Sequence, residues 1–97
     1  MTDKNKDQED QLVQELINPD TRRQAFTKLV NSYQEQLYWQ IRKLVITHDD
    51  TADVLQNTFI KIWQHLETFR GDSRLATWMY TIAHNEAITF LTKKQNE

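Results

Sequence analysis

A single glycine, Gly71, and a single proline, Pro19, punctuate all 97 residues. These are the residue types that most often end helices, and the stretches between them are rich in Leu, Gln, Lys, Glu and Ala, which enter helices readily. Intrinsic preference therefore favours helix nearly everywhere, and the expected fold class is all-α. A chain of this length can bury one hydrophobic core but not two independent ones, so one domain must account for it.

Apolar spacing divides that helical expectation into elements. Residues 1–8 are expected to be a disordered tail, followed by a short helix from about Glu9 to Ile17 with Leu12, Val13, Leu16 and Ile17 on one stripe. Pro19 interrupts it. Asp20 or Thr21 can cap a long helix on which Phe26, Leu29, Val30, Tyr33, Leu37, Ile41, Leu44 and Val45 recur at three- and four-residue steps, ending near Thr47. His48, Asp49 and Asp50 form the next break, and Asp49 or Asp50 can cap a helix running to about Thr68. Its inward face is expected to be Ala52, Leu55, Phe59, Ile62, Trp63 and Leu66. Past Gly71, a last helix begins near Ser73, with Leu75, Met79, Ile82, Ala83 and Leu91 mostly inward. The architecture expected is a compact bundle of three main helices plus the short N-terminal one.

Composition narrows the chemistry. There is no cysteine, which excludes a disulfide scaffold, a thiolate metal site and a thiol nucleophile, and fits a reducing cytoplasm. The first eleven residues are polar and charged, and no stretch approaches a membrane span, so a cytoplasmic protein with no membrane partner is expected. His48, His65 and His84 lack the four-residue helical pairing of a zinc motif, and no nucleophile motif or glycine-rich phosphate loop is present. No catalytic residue, metal or cofactor is assigned, and an enzyme is not expected.

The net charge of −2 argues against a simple duplex binder, whose affinity comes mainly from cations on phosphates. Its distribution says more. Residues 1–20 hold six acids and two bases, 21–48 five bases and one acid, 49–68 four acids and one base, and 69–97 four bases and three acids. Banding of this kind suits a helical protein that meets different partners on different faces; ordinary solvated surface charge is the other source of such a pattern.

From residue 52 to residue 91 the chain reads ADVLQNTFIKIWQHLETFRGDSRLATWMYTIAHNEAITFL. In order and spacing of several motifs together, this resembles region 2 of bacterial RNA polymerase sigma factors, specifically the extracytoplasmic-function group, and the likeness extends over nearly the whole chain after residue 9. The resemblance implies a transcription initiation domain that binds core RNA polymerase and recognises and helps melt the minus-ten promoter element. It implies no second domain here for the minus-thirty-five element, an anti-sigma factor as a possible further partner, and mainly single-stranded DNA as the nucleic-acid ligand.

Residue by residue, the family's acidic-turn helix docks on the coiled coil of the polymerase's largest subunit, and Asp53, Gln56 and Asn57 stand at its motif positions, with Ile60 as a further interface candidate. Phe59 and Trp63 read as core. Asn57 replaces the family's usual Glu and removes a negative charge from that contact. The segment Phe69-Arg70-Gly71-Asp72-Ser73-Arg74 is similar to the family loop that receives a flipped base, and Gly71 gives it backbone freedom. Thr77-Trp78-Met79-Tyr80 followed by Ile82-Ala83-His84-Asn85 is similar to the family's minus-ten-reading signature. Helical geometry gathers Thr77, Thr81, His84 and Asn85 on one side, with Asn85 able to donate to and accept from a base edge.

Two readings stay open for Trp78, a wedge against the last base pair or a core residue joined by Ala87; Tyr80 is assigned to the DNA side. Thr81 stands where the family commonly has Arg, and Lys93 and Lys94 where it has an Arg pair, which keeps charge without the planar fork. Arg23, Phe26, Leu29, Val30 and Tyr33 match a helix whose family role is mainly structural. The alternative function is a helical module that docks on polymerase without productive DNA binding, and behind it a generic helical adapter.

Overall fold

A computed structural model describes residues 4–69 and 74–95, with side chains described from residue 9 onward. Its elements are α1 (Lys4–Ile17), α2 (Arg22–Arg42), α3 (His48–His65), a 3₁₀ turn at Leu66–Thr68 and α4 (Leu75–Gln95), with no strand among the described residues. The all-α expectation holds. The first helix begins at Lys4, ahead of the expected Glu9.

The break between α1 and α2 is built by Asn18 and Arg22 together with Pro19. Asn18 Oδ1 accepts from the Asp20 amide at 3.0 Å, an Asx turn, while Arg22 donates to the Leu16 and Ile17 carbonyls at 2.9 and 3.1 Å. Those are orphan acceptors at the end of α1, so the guanidinium closes one helix from the first residue of the next. Thr21 takes the N-cap position of α2, but its hydroxyl donates back to the Glu15 carbonyl at 2.7 Å rather than accepting from α2.

The second break falls earlier than the periodicity suggests. α2 stops at Arg42, not near Thr47, because Arg42 folds over the following turn and donates to the carbonyls of Val45 and Ile46. Val45 turns inward and is buried, leaving Ile46 exposed. Thr47 then caps α3, its hydroxyl accepting from the Asp50 amide at 3.1 Å. The expected caps, Asp49 and Asp50, lie instead in the first turn, where their charges favour the helix dipole.

The core is made by Leu16 of α1, Leu29, Leu37 and Ile41 of α2, Val54 and Ile62 of α3, and Leu75, Met79, Ala83 and Ala87 of α4. On α3 the buried stripe is Thr51, Val54, Thr58 and Ile62, so Ala52 is exposed and Leu55 and Phe59 are only half-buried. This corrects the expected face by about one residue. Two threonines occupy core positions because each hydroxyl bonds a carbonyl one turn back, Thr51 to Thr47 and Thr58 to Val54, both at 2.7 Å. That bond hides the polar group and leaves the methyl to pack, a pattern hydrophobic periodicity cannot see.

Candidate polymerase and nucleic-acid surfaces

The register of α3 decides what its outer face can offer. With Thr51, Val54, Thr58 and Ile62 inward, Asp53, Gln56, Asn57 and Ile60 all lie exposed at three- and four-residue spacing. The structure therefore brings the four expected polymerase-binding residues onto one surface. Asp53 is the sixth residue of α3, past the first turn where a carboxylate most supports the dipole, so its place is not explained by helix stability.

Trp63, like Ala52, is exposed despite its place on the expected inward face. Its indole remains 42% exposed, one turn beyond Ile60, which is 47% exposed. The ring meets Phe26 edge to face at 5.0 Å between centroids, and Phe59 meets Phe26 at 6.4 Å. The outer face of α3 thus runs from a carboxylate and two amides to an apolar end. A signal for Trp63 existed, since it continues the spacing of residues 53, 56 and 60 as well as the presumed inward stripe.

On α4 the burial of Leu75, Met79, Ala83 and Ala87 turns Thr77, Thr81, His84 and Asn85 outward, as expected, and Ile88 continues the same strip at 43% exposure. The strip carries no charged side chain. Thr81 donates its hydroxyl to the Thr77 carbonyl at 3.0 Å, which leaves its lone pairs outward. Hydroxyl, imidazole and amide groups of this kind suit base edges better than phosphates.

Around the start of α4 the aromatic residues are only partly available. Phe69 is buried at 6% exposure, and Trp78 lies tilted against it with centroids 4.7 Å apart. Phe69 therefore backs the indole and presents no free face, while half-buried Trp78 combines both readings, one face packed and the rest open. Tyr80 is half-buried too. Its hydroxyl donates to Gln36 Oε1 at 2.9 Å, and its carbonyl accepts from Gln40 Nε2 at 3.1 Å. Arg74 is exposed beside the first turn, its carbonyl accepting from the Trp78 amide. Arg70, Gly71, Asp72 and Ser73 lie outside the described residues.

Lys94 is not brought to the strip. It turns toward α3, pairing with Asp50 at 3.5 Å and lying 5.6 Å over the Phe90 ring, while Lys93 is exposed. Lys61 and Glu86 make a second ion pair between α3 and α4 at 3.8 Å.

A separate open groove of about 590 Å³ lies between α1, α2 and the start of α4. Its cations Lys28 and Arg74 are matched by Glu9 and Glu15, so it favours neither sign of ligand. Burial, reinforced by the Glu9 carboxylate and by Tyr80, raises the Tyr33 hydroxyl above its ordinary pKa of 10.0. No cluster of metal-ligating side chains and no helix long and apolar enough to cross a membrane occurs among the described residues.

The chain has relatives among known proteins. Residues 29–97 match the family model described as sigma-70 region 2. The chain is 40% identical over 70 residues to the ECF RNA polymerase sigma-E factor of Haemophilus influenzae, covering 72% of this chain and 36% of that protein. It is 39% identical over 88 residues to the RNA polymerase sigma-H factor of Pseudomonas aeruginosa, covering 91% of this chain and 45% of that protein. The chain thus spans less than half the length of these curated relatives. Among solved structures, it is similar to the NMR structure of an engineered region 2 of sigmaE in complex with GTAAAA, with a TM-score of 0.77, 31% identity, and coverage of 87% of this chain and 85% of that one. The match over residues 29–97, these identities and the shared helical fold make the chain a member of the sigma-70 region 2 family, in the extracytoplasmic-function group.

Proposed function

We propose that the chain binds core RNA polymerase and recognises and helps melt the minus-ten promoter element, acting in the bacterial cytoplasm as a binding factor. The observation that supports this reading is that two helices expose faces of different chemistry. The outer face of α3 is acidic and amide-bearing at Asp53, Gln56 and Asn57 and apolar at Ile60 and Trp63. Such a face suits a partner helix, and the reading assigns it the coiled coil of the polymerase's largest subunit. The outer face of α4 offers Thr77, Thr81, His84 and Asn85 without charge, which suits unpaired bases.

Melting adds a requirement that Trp78 meets. Unpairing a base costs a few kcal/mol, and a partly exposed indole on a packed Phe69 can offset this by stacking worth about 1–3 kcal/mol per base. Lys93 and the Arg70–Arg74 segment are assigned backbone and flipped-base contacts on the strength of the family motif.

The reading is tested by titrating the chain against isolated core polymerase and against single-stranded promoter DNA. Binding to both, with Asp53→Ala weakening only the first and Asn85→Ala only the second, is the expected result. Polymerase binding without DNA discrimination would replace it with a docking module. The absence of a cation at residue 81 favours that second reading.

A further inference from the structure

Tyr80 is tied to α2 at two points, through its hydroxyl to Gln36 and through its carbonyl to Gln40. The two glutamines stand one turn apart on α2, so they form a pair of amide clasps on the side turned to α4. The contacts span 44 and 40 positions in sequence, and among the described residues they are the polar side-chain ties between these two helices. The α4 positions that are ion-paired lie further along the helix, at Glu86 and Lys94, and reach α3 instead.

The Gln40 clasp is not explained by stability. The Tyr80 carbonyl lies inside α4, where the amide four residues on already provides a helical partner. Gln40 Oε1, meanwhile, is buried with no partner among the described residues, a penalty that an apolar side chain of similar shape would avoid. What an apolar side chain could not supply is the tie to Tyr80. Around the α4 axis the strip of Thr77, Thr81, His84 and Asn85 lies between Tyr80 on one side and Trp78 on the other, so the rotation held at Tyr80 sets where the strip points.

We propose that Gln36 and Gln40 are positioning residues for strand recognition, fixing the rotation of α4 and the orientation of Tyr80 so that Thr77, Thr81 and Asn85 meet the bases as a preorganised strip. This rests on the reading of α4 as the DNA-facing helix. The clasps act before binding: the strip need not be ordered by the DNA, and discrimination between sequences sharpens because a wrong base cannot be accommodated by rolling the helix.

The test uses the 97-residue chain. The probes are the single strand that wild type enriches from a randomised pool and a shuffled strand of the same composition, and the readout is the affinity ratio between them together with the melting temperature. Gln36→Met and Tyr80→Phe are each expected to lower the ratio roughly three- to tenfold, with the double variant no worse than either. Gln36→Glu, whose carboxylate accepts the same bond, restores the ratio. Gln40→Met lowers the ratio while the melting temperature stays level or rises. Unchanged ratios in both methionine variants, additive losses in the double variant, or ratio losses that track melting temperature would overturn the proposal. A wild type that enriches no strand would overturn the DNA reading itself, an outcome distinct from an enriching wild type with inert clasps.

Discussion

At the scale of single residues, the assigned roles separate binding from stability. Asp53 is exposed and beyond the first turn of α3, so Asp53→Ala is expected to change folding stability by less than about 0.5 kcal/mol. Its polymerase affinity should fall at least about fivefold, the loss of an interface residue worth roughly 1 kcal/mol or more. Titration against core polymerase checks this, and equal affinities would remove the role. Tyr33 offers a pH prediction with a definite sign. Because its folded pKa is raised, chiefly by burial, folding holds the phenolic proton more tightly than the unfolded chain does. The contribution is complete below the unfolded value of about 10 and is lost as pH rises through the higher folded value. Tyr33→Phe should therefore flatten the alkaline limb of a stability curve above about pH 10 and leave neutral pH nearly unchanged. A steep alkaline limb identical in both proteins would contradict it.

At the scale of elements, α3 is where reading and structure diverge. A stripe drawn through Ala52, Leu55, Phe59, Ile62 and Trp63 collects apolar residues, whereas the buried one passes through two threonines. Thr58→Val keeps the shape and removes a hydroxyl already bonded within its own helix, so stability should shift by no more than about 1 kcal/mol in either direction. Met79→Ala empties a fully buried position and should cost about 2–5 kcal/mol. Urea unfolding of the pair measures the contrast, and a larger loss for Thr58→Val would mean the hydroxyl has a partner beyond Val54.

The same elements mark what the sequence made legible. On α4, inward Leu75, Met79 and Ala83 and outward Thr77, Thr81, His84 and Asn85 follow from helical spacing, whereas Ile82 and Leu91, expected inward, are only half-buried. The end of α2 did not follow, because an arginine reaching forward to two carbonyls leaves no periodic trace. Nor did the Tyr80 clasps or the turning of Lys94 toward Asp50, which depend on how helices pack. The exposure of Trp63 belongs to the same class: on an amphipathic helix a bulky aromatic at the edge of the stripe can face either way, and this one meets Phe26 while staying partly exposed.

At the scale of the whole molecule, the fold keeps the exposed faces of α3 and α4 in fixed relation through a shared core. Ion pairs tie α3 to α4 at Lys61–Glu86 and Asp50–Lys94, but pairs this exposed contribute little, and the packed Ile62, Met79 and Ala83 hold the geometry. The proposed function needs polymerase and an opened strand to be met on different faces, and α3 and α4 each offer one. The charge is segregated as well: α3 opens with Asp49 and Asp50, the α4 strip has no Asp, Glu, Lys or Arg, and the basic residues of α4 stand in its last turn, Lys94 turned to Asp50.

The measurement that tests this account most directly is selection from a randomised single-stranded DNA pool at low salt, followed by fluorescence anisotropy on the enriched strand with wild type and Asn85→Ala. A short enriched motif is expected, bound much more weakly by Asn85→Ala, while a shuffled strand is bound equally by both proteins. A chain that binds core polymerase yet enriches no motif, or an Asn85→Ala variant that loses both strands equally, would contradict it.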